Sequence, residues 1–89
     1  MNIEGIETFL KGKTITEESR VKITFKKGEA ICVLFVRDKD FSELKSKNFW
    51  RVVTPSHLEE YGRSKNMRLA KIFSGTHFSR LALYKESLG

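Results

Sequence analysis

The sequence predicts a small, mostly-β α+β domain, with an N-terminal helix and about five antiparallel strands in a small curled sheet or partly open barrel. Three observations predict it. Residues 20–26 alternate polar and apolar side chains, which is the period of a half-buried strand. A Lys27-Gly28 turn joins them to an apolar run, Ala30 to Val36. Further β-branched and aromatic stretches, 49–54 and 67–73, are set apart by turn residues.

The elements follow in order. Asn2 to Lys11 reads as a short amphipathic helix with Ile3, Ile6, Phe9 and Leu10 on one face. Asn2 can cap it, Glu4 and Lys11 suit its dipole, and Gly12 can close it. Val21, Ile23 and Phe25 point one way from the first strand. Arg20, Lys22, Thr24 and Lys26 point the other and give it a basic outer face. Glu29 to Val36 reads as a central strand buried on both faces, with Cys32 inside it. Asp40-Phe-Ser-Glu43 has capping-box spacing, and a helical turn through Leu44 to Lys47 follows.

Phe49 to Thr54 is a third strand. Thr54 and Pro55 suit the cap and first position of a short helix, with Leu58 and Tyr61 inward and Gly62 at its end. Met67 to Phe73 is a fourth strand and Ser74-Gly75-Thr76 a tight turn. Phe78 to Tyr84 fits a fifth strand better than a closing helix, and residues 85–89 fray. No linker or repeat divides the chain, so residues 1–89 read as one domain.

Composition bounds the function. At 39% hydrophobic and 31% charged, the 89 residues suit one folded core. The single Cys32 can form no disulfide within the chain and reads as a buried structural thiol. The first residues carry Glu4 and Glu7 and no basic stretch, so they do not read as a signal peptide. The longest apolar run is too short for a membrane span. The expected setting is the cytoplasm, with no membrane partner.

Seventeen Lys and Arg against 11 acids give a net charge of +6. From Tyr61 to Lys85 there are six bases and no acid, whereas residues 1–18 hold two bases and four acids. That asymmetry points to a polyanionic partner.

Val21 to Asp38 resembles the first motif of the Sm/Lsm family, which includes bacterial Hfq: a strand, a Gly28 turn and a second strand leading to an Asp. Lys71 to Leu81 resembles the second motif, with Gly75 ahead of the last strand. Val33 stands where the family has a second glycine. Ser74 stands where it has a base before the motif glycine, and Thr76 where it has a polar residue after it. The resemblance implies an SH3-like or Sm-like barrel and a ring oligomer joined through strands four and five. It also implies RNA contacts at residues 38–41 and 74–77.

The residues themselves offer little enzyme chemistry. His57 and His77, with one Cys, make no zinc set, and no cofactor motif is present. His57 and Glu60 read as helix surface. His77 with Arg80 would suit a metal-independent ribonuclease of toxin size, but a turn histidine without a catalytic task is the better reading. The expected function is a non-enzymatic RNA or single-stranded nucleic-acid-binding module. Lys45, Lys47, Arg51, Arg63, Lys65, Arg68, Lys71 and Arg80 would contact phosphates, and Trp50 or His77 would stack on bases. The alternative is a protein–protein adaptor or oligomeric accessory protein.

Overall fold

The computed structural model describes residues 1–12, 15 and 19–84. Helix α1 spans Ile3–Leu10, and the Asn2 side chain accepts from the Gly5 amide at 2.7 Å, as its capping role requires. Strands β1 (Arg20–Phe25) and β2 (Ala30–Phe35) form the expected hairpin. Gly28 turns it at a φ of 97°, a left-handed value that glycine adopts at little cost. Helix α2 (Phe41–Ser46) leads into β3 (Phe49–Val53). A 3₁₀ turn (Pro55–His57) and helix α3 (Leu58–Ser64) precede a second 3₁₀ turn (Met67–Leu69). Then come β4 (Ala70–Ser74), a third 3₁₀ turn (Gly75–His77) and β5 (Phe78–Leu83).

The five strands form one unclosed antiparallel sheet in the order β4-β3-β2-β1-β5. The chain is thus an α+β fold, mostly strand, as its periodicities predict. One face is apolar. Val21, Ile23, Val33, Phe35, Trp50, Val52, Phe78 and Leu81 pack there against Ile6 and Leu10 of α1. Val53 faces the other side, across from Leu34, and is fully buried. The Pro55–His57 turn lies against β2, and Tyr61 of α3 is buried.

Several local expectations are corrected. The strand β2 is not buried on both faces: it alternates, and Cys32 is half-buried opposite Lys22. Asp40 makes no cap hydrogen bond, because its carboxylate turns to Arg51. Gly62 does not end α3. The helix runs on to Ser64, and Lys65 takes the left-handed position at φ 52°. Residues 67–69 form a 3₁₀ turn, so β4 starts at Ala70. The sheet settles the ambiguity at 78–83 as a strand paired with β1. The expected fraying at 85–89 lies outside the described residues.

Gly75 shows why the last turn sits where it does. A Cβ there would fall within 3.0 Å of the Asn48 side chain and of Ile6. The Gly75 amide donates to the Asn48 carbonyl at 2.8 Å, so backbone and core meet with no room for a side chain. Just beside it, the Met1 ammonium donates to the carbonyls of Gly75 (2.9 Å) and Phe78 (2.6 Å). The start of the chain is thereby fastened to the link between the two edge strands.

Candidate nucleic-acid interface

Four of the ten residues expected at the interface, Lys45, Lys47, Trp50 and Arg51, already have partners within the protein. The Trp50 ring lies in the core at 1% exposure. Its indole N–H donates to Asn48 Oδ1 at 2.8 Å, and Phe35 and Phe41 meet the ring edge-on. It cannot stack on a base, and the expectation for Trp50 is corrected. Its wide hydrophobic body outweighed its value as an exposed platform.

The cations around it are paired. Arg51 forks onto Asp40, with Nη2 donating to Oδ2 at 2.8 Å. That hydrogen bonding, more than simple charge attraction, holds the Asp40 carboxyl below its ordinary range and pushes the guanidinium up. Lys45 forms an ion pair with Glu7 and lies over the Phe41 ring, 5.9 Å from its centre. The Lys45 hydrogen bond is the main cause of a lowered Glu7 pKa. Lys47 lies 3.8 Å from Glu43, an exposed pair worth little. Lys45 and Arg51 are therefore anchors tying α1 and the α2 segment to the sheet. As phosphate ligands, both would first have to break a charge-assisted contact.

Arg63, Lys65 and Arg68 are exposed around the end of α3 and the turn after it. Lys65 sits over the Tyr61 ring at 5.2 Å. Glu59 and Glu60 share that helix, so its field is mixed. Lys71 is exposed on the edge strand β4, across from Val52.

Arg80 belongs to a different surface. On β5 it stands opposite Thr24 of β1, and Ala82 stands opposite Lys22. Lys22 in turn stands opposite Cys32, so Lys22 and Arg80 share the face away from the core. Arg20 lies on that face too, in line with Leu34. None of the five strands contains an Asp or Glu. Lys22 and Arg80 have no ion pair among the described residues.

Lys26 and Lys27 lie in the turn that closes the β1–β2 hairpin. The Lys26 amide donates to the His77 carbonyl at 2.9 Å, which docks the hairpin against the 3₁₀ turn before β5. Phe25, Lys26, Lys27, Glu29 and His77 line a cleft of about 350 Å³ there. Burial, and to a lesser degree the charge of Lys26, lowers the pKa of the Met1 amine. His77 is thus brought to a cationic cleft; Arg80 lies on the adjoining face.

Lys22, Lys26 and Lys27 are the residues that a search for basic stretches in the second half of the chain overlooks. The signal for Lys22 was the alternation of β1, which puts its bases on one face; Lys26 and Lys27 belong to the turn that follows. Among the described residues no cluster of three metal-ligating side chains occurs, and no helix is long and apolar enough to cross a membrane. Comparison with protein families, curated proteins and solved structures finds no match. The likeness to the Sm/Lsm family rests on the two sequence stretches alone.

Proposed function

We propose that this protein is a non-enzymatic module for single-stranded RNA or another single-stranded nucleic acid, bound on the outer face of β1 and β5. The observation that carries the reading is the pair Lys22 and Arg80 on one face of two strands that hold no acid, with Lys26 and Lys27 in the hairpin turn, where Glu29 is the one acid among the described residues of the cleft. Two cations on adjacent strands and two in the hairpin turn, with no ion pair among the described residues, suit a flexible phosphate chain. A cytoplasmic setting goes with this partner. The Arg63, Lys65, Arg68 and Lys71 group is a weaker second contact, because Glu59 and Glu60 stand beside it.

A salt series of oligo(U) binding tests the reading. Release of counterions by about four phosphate contacts gives a log–log slope of about −3. Lys22→Glu with Arg80→Glu removes most of the affinity, and Arg63→Ala with Arg68→Ala removes less. Binding that ignores salt, or that survives the double reversal, overturns it.

One observation favours a second reading. Phe49 (38% exposed) and Ile72 (49% exposed) share the outer face of β3 and β4, beside the unpaired edge of β4. A protein contact there, with a second copy as occupant, makes the chain an oligomeric accessory protein. Mass in solution that falls to the monomer value in Ile72→Lys, with no RNA affinity in either form, favours it.

A further inference from the structure

The cleft between the hairpin and the Gly75–His77 turn has one feature that phosphate binding does not explain. Two of its walls are Lys26 and Lys27, and a third is the carboxylate-bearing Glu29. A carboxylate repels phosphate. Its proper partners are N–H donors, and two N–H groups side by side match its two oxygens best. The cleft also has rings. Phe25 is held edge-on by Phe73 (centroids 5.9 Å apart) and Phe78 (5.7 Å), so it stacks on a ligand with little further ordering. His77 supplies a second ring at the rim. At about 350 Å³ the space is at the small end for ligand pockets, the size for one nucleotide rather than a large cofactor.

An aromatic wall, two ammonium groups and one carboxylate match a nucleotide whose base edge presents paired donors. Guanine does so through N1–H and the N2 amine. Adenine and cytosine offer a single amine, and uracil a lone imide N–H between two carbonyl oxygens. We infer that this cleft is a base pocket that selects guanine within the single strand held by the β1–β5 face. In it Glu29 accepts from the Watson–Crick edge, Phe25 or His77 stacks, and Lys26 and Lys27 hold the neighbouring phosphates. The inference rests on the nucleic-acid reading and adds a sequence preference to it.

The test compares oligo(U) with the same oligomer carrying one central G, A or C, on the full chain. The G oligomer binds about tenfold tighter than oligo(U), and the A and C oligomers do not. Glu29→Gln abolishes the G preference while oligo(U) affinity holds or rises, because a repulsive charge has gone. In amide NMR spectra, GMP shifts residues 25–29 and 77 of the folded protein, and the spectrum of Glu29→Gln shows whether that variant is folded. If oligo(U) binds with the expected salt slope but G adds nothing, the base pocket is wrong and the nucleic-acid module stands. If a G preference persists in folded Glu29→Gln, the role of Glu29 is wrong. If no oligomer binds, both readings fall.

Discussion

Single residues decide what this surface is available for. Trp50 and Phe25 are both aromatic residues on the core-facing side of strands, yet Trp50 closes the core and Phe25 borders a cleft. Trp50→Ala should cost about 3–5 kcal/mol, read as a lower urea midpoint. Two glycines should respond in opposite directions. Gly75→Ala forces a Cβ into Asn48 and Ile6 and should cost about 1–3 kcal/mol. Gly62→Ala meets nothing within 4 Å and lies inside α3, so it should stabilise by about 0.4–1 kcal/mol. Thermal unfolding of the two variants checks both signs.

At the scale of elements, ion pairs join pieces that hydrogen bonding of the sheet leaves separate. Glu7 on α1 meets Lys45 on α2, and Asp40 before α2 meets Arg51 on β3. Both carboxyls have pKa values below the ordinary ones. Their contribution is therefore complete above the unfolded-state carboxylate range and is lost as pH falls through the folded-state values. The urea midpoint should hold from neutral pH down to the ordinary carboxylate range and drop below it. Asp40→Asn should show a shallower drop, since one of the two linked protons is gone. A midpoint that stays level in acid would refute the linkage. Arg37 adds a charge-assisted tie with no carboxylate in it, donating to the Leu10 carbonyl at the end of α1 at 2.8 Å.

For the whole molecule, charge is sorted by architecture. Among the described residues, acids occupy the helices, the connections near them and the hairpin turn, and the charged residues of the strands are all bases. The outer face of β1 and β5 thus keeps its field while Lys45, Lys47 and Arg51 lose theirs to neighbours. Reversal of Lys22 alone should reduce the salt slope of nucleic-acid binding by about 0.7, one phosphate contact on a single strand. Reversal of Lys47 should leave that slope unchanged.

Period and punctuation were enough to read the hairpin of β1 and β2, the capped start of α1 and the five-strand content. Those features depend on near neighbours: alternation, an Asn at a helix start, a Gly at a turn. The same alternation already marked Lys22 as outward-facing. Which bases stay unpaired was beyond reach, because Asp40 and Arg51 or Glu7 and Lys45 meet only after α2 folds over the sheet. The cleft was equally hidden, since Glu29 and His77 are far apart in sequence and come together only where β5 pairs with β1. Local chemistry sets the elements; contacts between distant segments determine which side chains remain exposed to a partner.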